Sequence, residues 1–275
     1  MRISTTILMT DESIRPARLA RELEQRGFGG LYLPEHTHIP ASRESPPPMG
    51  GELPRAYHRT LDPFVGLAAA ATVTERLALG TSVSLVAQRD PIVLAKEIAT
   101  LDLLSEGRFT LGLGFGWNRE EAADHGVEWR TRRALVQDRM ALMRALWSPE
   151  PTGHDGSFAS VRPSHAHPKP VRPGGPRVLV GGGAGPRLFA AVAAYADGWM
   201  PVGGSGLTES VPRLRAAWKE AGREGAPTLV PAFVLPTPGK LAHYRDLGAE
   251  EVILQLPDGD EGEVLRALDD YARYL

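Results

Sequence analysis

Two histidines lie close together after a short apolar segment, and their side chains could handle protons or a metal ion. His36 follows Glu35, and His38 comes two residues later. Because an imidazole can accept or donate a proton near neutral pH, His36 is a candidate general acid or base. A metal site is a second interpretation, but the two side chains would point to opposite sides if the strand continued, and no other group of ligands is evident. A structural or solvated histidine pair is the third interpretation, and we predict no metal.

A glycine-rich segment, Val180–Gly185, stands directly before Pro186. Proline is favoured at the first position of a helix, so this segment predicts a loop that leads into a helix start. Free backbone N–H groups at such a start form a site for an anion, and a phosphate is the expected guest. A flexible turn that merely needs glycine is the alternative, and nucleotide hydrolysis is not expected because the lysine of a P-loop is missing. The predicted cofactor contacts are Gly181, Gly182 and Gly183.

Small residues mark the ends of two other predicted strands. Thr81, Ser82 and Val83 would let a ligand approach the backbone closely, or they could simply fit a crowded layer of side chains. Gly114 and Gly116 belong to a run of alternating glycines that leaves one face free for a flat aromatic ring. Both segments are therefore candidates for contact with a cofactor, and the residues alone leave the packing interpretation open.

Trp199 and three carboxylates complete the set of candidates. Trp199 follows the glycine-rich segment in the next predicted strand, where it either lines the same ligand or packs in the core. The carboxylates follow Trp117 on a predicted helix or loop, and we expect them to form a solvated face. They are Glu120, Glu121 and Asp124.

The segments that must position these residues alternate between strand-like and helical patterns. The eight predicted strands are Ile3–Met9, Phe28–Leu33, Leu77–Val83, Phe109–Leu113, Arg177–Val180, Gly198–Pro201, Thr228–Val234 and Glu251–Leu256. Such alternation predicts a parallel sheet, and a chain of 275 residues with this pattern favours a closed (β/α)8 TIM barrel over a doubly wound sheet. Barrels of this type carry their active sites at the carboxyl ends of the strands, where the candidate residues stand.

Helix-start signals support the alternation, whereas two longer segments interrupt it. Asp62 and Asp90 each precede a proline, which predicts a capped helix start. Residues 37–60 are rich in proline, glycine and serine, and residues 148–176 are rich in proline. We predict one domain over residues 1–275 with insertion loops in these two segments.

The composition excludes several classes of protein. The chain has 31 Lys and Arg against 33 Asp and Glu, without the basic stripe typical of a nucleic-acid binder. It has no cysteine, which excludes disulfides, thiolate catalysis and zinc–sulfur sites. No segment approaches the ~18 consecutive apolar residues of a membrane span, and the N-terminus lacks a signal-peptide pattern. We expect a soluble cytoplasmic protein that acts on a small molecule, with no nucleic-acid or membrane partner.

A series of short strings occurs in order over about residues 15–205. They are LYLPEHTHIP from Leu31, LGTSV from Leu79, QRDP from Gln88, LAKE from Leu94, TLD from Thr100, GRF from Gly107, GLGFGWN from Gly112 and ADGW from Ala196. Each string alone is weak, but together they are specific. They resemble the luciferase-like monooxygenase family, and most closely its branch of F420-dependent oxidoreductases.

The resemblance implies a (β/α)8 barrel with an insertion, FMN or coenzyme F420 as the cofactor and usually a homodimer. It also implies a non-prolyl cis peptide bond behind the cofactor ring at Ser82–Val83, a cofactor-facing His36 and phosphate-binding glycines at Gly181–Gly183. Trp117 stands where the F420-dependent sugar-phosphate dehydrogenases of the family carry a catalytic glutamate. Oxidation of a sugar phosphate is therefore not expected.

Three functions follow as hypotheses. The first, favoured by the resemblance to the F420 branch, is F420-dependent hydride transfer to or from a small organic substrate, with His36 donating or accepting a proton. The second is an FMN-dependent monooxygenase that uses O2 and receives reduced flavin from a separate reductase. The third is a barrel that binds the cofactor without turnover.

Overall fold

Eight of the ten strands form a nearly closed parallel barrel in the computed structural model, which describes residues 1–48 and 50–275. In chain order the strands are β1 (Arg2–Thr6), β2 (Gly30–Leu33), β3 (Ala78–Thr81), β4 (Phe109–Leu113), β5 (Thr152–Asp155), β6 (Ser160–Ser164), β7 (Arg177–Gly181), β8 (Gly198–Met200), β9 (Thr228–Leu229) and β10 (Glu251–Gln255). The barrel order is β10-β1-β2-β3-β4-β7-β8-β9. The predicted (β/α)8 fold is confirmed.

Helices connect the barrel strands and cover their outer face. Over the described residues they are α1 (Pro16–Arg26), α2 (Pro63–Ala71), α3 (Pro91–Leu104), α4 (Arg119–Asp124), α5 (Arg132–Trp147), α6 (Pro186–Tyr195), α7 (Leu207–Glu220), α8 (Pro238–Asp246) and α9 (Glu261–Ala272). The side chain of Asp62 accepts a hydrogen bond from the N–H of Val65, and that of Asp90 accepts from Ile92 and Val93, which confirms both predicted caps. Within the described chain, no helix combines the length and the apolar character needed to cross a membrane.

Individual backbone hydrogen bonds connect β10 to the segment that follows β9, although the two strands do not pair regularly. The N–H of Val234, for example, donates to the carbonyl of Ile253 over 3.2 Å. β9 itself ends at Leu229, earlier than the sequence pattern predicts. Pro231 has no N–H to donate, and Phe233 has a positive φ of 58°, so regular pairing stops there.

Side chains fill the interior of the barrel. One buried cluster consists of Tyr32, Leu179, Met200, Val230, Ala232 and Ile253. Towards the amino ends of the strands, the buried carboxylate of Glu251 accepts hydrogen bonds from Ser4, Tyr32 and Arg177. Burial and the neighbouring Glu251 charge raise the pKa of the Tyr32 phenol. The buried polar groups at this end of the barrel are hydrogen bonded to one another. An active site is therefore expected at the other end, where the carboxyl ends of the strands lie.

The segment 148–176 contains a hairpin that its proline-rich sequence does not predict. β5 and β6 pair in antiparallel fashion, and Asp138 on α5 holds them. Its carboxylate accepts hydrogen bonds from Nε2 of His154 (2.9 Å) and from the N–H groups of Phe158 and Ala159 (2.8 Å each). Burial raises the pKa of Asp138, but these hydrogen bonds outweigh burial and hold the pKa below its ordinary value.

Candidate active site at the carboxyl ends of the strands

His36 follows β2, and both nitrogens of its ring have partners. Nδ1 lies 2.8 Å from Oε2 of Glu121, and the indole Nε1–H of Trp117 donates to Nε2 over 3.2 Å. Because an indole can only donate, Nε2 must carry a lone pair, and Nδ1 must carry the proton that it shares with Glu121. The partners therefore select a neutral imidazole whose basic nitrogen is Nε2.

Glu121 is buried, which corrects the expectation that the three carboxylates after Trp117 form a solvated face. Its side chain is 1% exposed, and Oε1 also accepts the backbone N–H of Thr37 over 3.1 Å. The reason is that α4 folds back onto the loop after β2. The sequence does indicate the start of α4, because Asn118 stands three residues before Glu121 and accepts its N–H as the cap, but it does not indicate where the helix packs.

The other two carboxylates of α4 also bind the loop after β2. Glu120 accepts the N–H of Ser45 over 2.7 Å and the hydroxyl of the same residue. The exposed Asp124 lies 2.9 Å from Nε2 of His38. His36 and His38 thus face different carboxylates, and among the described residues no three His, Cys, Asp or Glu side chains are grouped to hold a metal ion.

Two aromatic rings flank the imidazole of His36. The Tyr57 ring lies 5.3 Å from it, the Trp117 ring lies 5.6 Å from it, and the two aromatic rings are 6.3 Å apart. Burial raises the pKa of the Tyr57 phenol, and the negative charge of Asp258 adds to this. Tyr57 therefore keeps its hydroxyl proton near neutral pH. It lies in a short 3-10 turn, Arg55–Arg59, within the segment 37–60, where no periodic pattern could have indicated it.

The peptide bond between Ser82 and Val83 is cis, as the family resemblance implies. Thr81 and Ser82 are buried at the end of β3. The Thr81 hydroxyl donates to the carbonyl of Gly112 over 2.6 Å, and Oγ of Ser82 lies 2.9 Å from Oγ1 of Thr6. Of the three residues predicted here, only Val83 keeps a partly exposed side chain.

The Val83 side chain occupies the space that two glycines leave open. A Cβ added at Gly114 would lie within 3.0 Å of Val83 Cγ2, and one added at Gly181 would lie within 3.0 Å of Val83 Cγ1. Val83 also packs on the buried cluster inside the barrel. The absent side chains at Gly114 and Gly181 therefore admit Val83, which closes the top of the barrel. Gly116, also predicted to contact the cofactor, has a positive φ of 72°.

The loop after β7 leads into α6 as predicted. Gly182 has a positive φ of 133°, and a Cβ added at Gly183 would meet nothing within 4 Å. Gly185 precedes Pro186, the first residue of α6, and offers no side-chain cap. Within the described chain, no hydrogen bond uses the backbone N–H groups of residues 183–185. This helix start therefore has backbone donors without an acceptor in the described chain, which suits an anion.

Trp199 lies beneath this loop. Its side chain is buried, its Nε1–H donates to the carbonyl of Gly182 over 2.9 Å, and its ring meets Phe189 edge to face. This placement favours the packed-core interpretation of Trp199. In this interpretation the residue supports the loop Gly181–Gly185, called the glycine loop below, through its hydrogen bond to Gly182.

Glu35, next to His36, fixes the segment that follows the cis peptide bond. Its buried carboxylate accepts the hydroxyl of Ser84 and the N–H of Leu85, both over 2.7 Å, and Nε of Arg89 over 2.5 Å. Arg89 also contacts Asp62 at the start of α2. Hence one buried carboxylate connects the segments that follow β2 and β3. It thereby holds His36 and Val83 at the same mouth of the barrel, the opening at the carboxyl ends of the strands.

Sequence comparisons show which protein family the chain belongs to. The family model for luciferase-like monooxygenases matches residues 8–245. An uncharacterized protein of Mycobacterium tuberculosis is 44% identical over 279 residues, covering 100% of this chain and 96% of that protein. Phthiodiolone/phenolphthiodiolone dimycocerosates ketoreductase from the same organism is 34% identical over 164 residues, covering 58% of this chain and 42% of that protein.

Two solved structures share the fold along the whole chain. Monooxygenase RslO1 from Streptomyces bottropensis has a TM-score of 0.81 at 20% identity, covering 100% of this chain and 98% of that one. An F420-dependent secondary alcohol dehydrogenase in complex with an F420-acetone adduct has a TM-score of 0.77 at 17% identity, with the same coverage of 100% and 98%. At these identities the structures bear on the fold alone, whereas the sequence matches show the family: the chain belongs to the luciferase-like monooxygenase family.

Proposed function

We propose that the protein is an oxidoreductase that uses coenzyme F420 to move a hydride to or from a small organic substrate. The observation that carries this proposal is His36, whose Nδ1 is held by Glu121 and whose Nε2 is left as the basic nitrogen. Further support comes from the resemblance to the F420-dependent branch of the family and from the fold shared with an F420-dependent secondary alcohol dehydrogenase.

The residues around the strand ends fit a flat ring that carries a phosphate. The backbone N–H groups of Gly183, Ala184 and Gly185 would hold the phosphate at the start of α6, because they are unused within the described chain. Val83 would support the ring, since its side chain is apolar and partly exposed. When bound, such a cofactor supplies the ring carbon that gives or takes the hydride.

His36 would handle the proton that accompanies hydride transfer. In the oxidation of an alcohol, the substrate hydroxyl replaces Trp117 as the donor to Nε2, and Nε2 accepts its proton as the C–H bond breaks. In the reduction of a carbonyl, the imidazolium returns that proton to the oxygen. Glu121 stabilises the imidazolium because its buried carboxylate is already hydrogen bonded to Nδ1. Tyr57 would offer a second donor to the same oxygen.

An FMN-dependent monooxygenase is the second candidate function. It is supported by the fold shared with monooxygenase RslO1, at a TM-score of 0.81. The glycine loop and Val83 would serve FMN equally well, and a separate reductase would supply the reduced flavin. A barrel that binds the cofactor without turnover is the third candidate, and the Glu121–His36 pair argues against it because cofactor binding alone does not need an oriented base.

We also propose that the protein forms a homodimer through α2 and α3. Val65 on α2 is 72% exposed, and on α3 Ile92 and Val93 are 47% and 55% exposed. Leu103 and Leu104 near the end of α3 are exposed as well. Helices that are apolar on their outer side are normally covered, and a second copy of the same surface would cover them.

Titration of the purified protein with F420 and with FMN tests the cofactor proposal. Tryptophan fluorescence reports binding, since Trp117 and Trp199 lie beside the strand ends. Tight binding of F420 with weak binding of FMN supports hydride transfer. Tight binding of FMN alone supports the monooxygenase, and binding of neither refutes both.

A further inference from the structure

Four arginines, Arg119, Arg132, Arg133 and Arg187, follow the carboxyl ends of β4 and β7. Two of them flank Trp129: Cζ of Arg132 lies 3.7 Å and Cζ of Arg119 lies 5.4 Å from the centroid of its ring. Arg119 is the first residue of α4, and Trp129 lies in the segment that joins α4 to α5. The first pair of cations thus stands around Trp129.

The other two arginines extend the positive charge towards the glycine loop. Cζ of Arg133 lies 4.1 Å from the ring centroid of Phe115, whose carbonyl accepts Nε of Arg132 over 3.2 Å. Phe115 stands between Gly114 and Gly116, directly after β4. Arg187 is the second residue of α6 and follows the glycine loop.

These arginines lack counter-ions within the described part of the chain. No carboxylate there lies within 4.0 Å of any of the four, whereas Arg89 contacts three. Nη1 of Arg133 is buried and has no hydrogen-bond partner. Burial lowers the pKa of Arg132, and the charges of Arg133 and Arg119 lower it further. Uncompensated cations of one sign repel each other, so an anion bound among them would be strongly favoured.

We propose that Arg119, Arg132, Arg133 and Arg187 bind an acidic extension of the cofactor beyond its first phosphate. The proposal rests on the proposed use of F420, whose phosphate is followed by a tail of glutamate carboxylates. The cations include Arg187 at the start of α6, Arg133 beside Phe115, and Arg132 and Arg119 beside Trp129, so they extend beyond the helix start at which a single phosphate would bind. FMN ends at its phosphate and would not reach the outer pair. The cluster would therefore select F420 over FMN.

Equilibrium binding of F420 with a long tail, of F420 with one glutamate and of FMN tests this proposal. We expect wild-type protein to bind the long-tailed form about tenfold more tightly than the short one at low salt, and the difference to shrink as salt rises. The double variant Arg119→Gln/Arg187→Gln changes two exposed side chains. It should lose most of this preference and keep its affinity for the short form. Arg133→Gln, which removes the unpartnered guanidinium, should also weaken binding of the long form.

Arg266→Gln is the matched control, because Arg266 is exposed on α9, which lies across the barrel between β10 and β1. It should leave all three affinities and the melting temperature unchanged. Equal affinity for both tail lengths would overturn the proposal while leaving the use of F420 intact. An equal loss of FMN affinity in the double variant would also overturn the proposal, since the cluster would then contact only the phosphate. A change confined to the KM of an acidic substrate would overturn it as well. Failure of wild-type protein to bind F420 in any form would instead refute the proposed function, and the tail site with it.

Discussion

Nδ1 of His36 lies 2.8 Å from Oε2 of Glu121, although 85 residues of sequence separate them. With Trp117 donating to the other ring nitrogen, this contact selects one tautomer and one orientation of the imidazole. The basic Nε2 is therefore in place before any substrate arrives, and little reorganisation is needed when a proton moves. The chemistry of the site thus depends on a carboxylate that does not itself touch the substrate.

The Glu121→Gln variant tests this dependence. The amide has one acceptor oxygen, for either Nδ1 of His36 or the N–H of Thr37, and it loses the charge that stabilises an imidazolium, so we expect kcat to fall about 10- to 100-fold with little change in F420 affinity. Single-turnover measurements of hydride transfer and a binding titration separate the two effects. Glu120→Gln is the control, because Glu120 is on the same helix but binds Ser45, and it should leave kcat near the wild-type value. Equal rates for both variants would remove Glu121 from the mechanism.

The fit between Val83 and Gly114 gives a prediction about stability. In Gly114→Ala, the new methyl group would enter the space held by Val83 Cγ2. Overpacking of this kind should lower the free energy of unfolding by about 1–3 kcal/mol. Adding Val83→Ala should restore part of that loss, and urea unfolding of the two single variants and the double variant measures the coupling. Additive losses would mean that the two side chains do not compete for the same space.

The sequence predicts the barrel well because its signals are local. Each strand and helix leaves a short periodic pattern, and the caps at Asp62 and Asp90 are read from neighbouring residues. The contacts that complete the site are not local. The sequence separation of Glu121 from His36 hides their pairing, and Tyr57 lies in a segment without periodicity. Glycines raise a related difficulty, since Gly114 predicts open space but does not tell whether a ligand or Val83 fills it.

Gly183→Val tests the phosphate loop without disturbing the protein. Because an added Cβ at Gly183 meets no atom within 4 Å, the free energy of unfolding should stay within about 0.5 kcal/mol of wild type. A bound phosphate would meet the new side chain, so affinity for F420 or FMN should fall at least about tenfold. Gly182→Val is less informative, since the φ of 133° at Gly182 adds backbone strain to any effect on the ligand. Unchanged affinity in Gly183→Val would place the phosphate elsewhere.

The proposed homodimer is tested by charging its apolar surface. Val65→Lys combined with Val93→Lys places two cations on α2 and α3, and burying them against a second copy would be costly. Size-exclusion chromatography with light scattering should find a dimer for wild type and a monomer for the double variant. Leu275→Lys is the control, because Leu275 is also exposed, at 50%, but lies on neither helix. A wild-type monomer at micromolar concentration would refute the dimer.

The β5–β6 hairpin should loosen in acid because Asp138 holds it. The pKa of Asp138 lies below its ordinary value of 3.8, so its carboxylate stabilises the folded hairpin above that pH. This stabilisation is lost as the pH falls through the lowered pKa, when a proton replaces the hydrogen bonds from Phe158 and Ala159. Hydrogen exchange, corrected for the intrinsic pH dependence, should show protection at these two amides that declines below about pH 4. In Asp138→Asn the decline should be absent and protection lower throughout, whereas a wild-type hairpin protected equally at pH 3 and pH 6 would mean that Asp138 does not hold it.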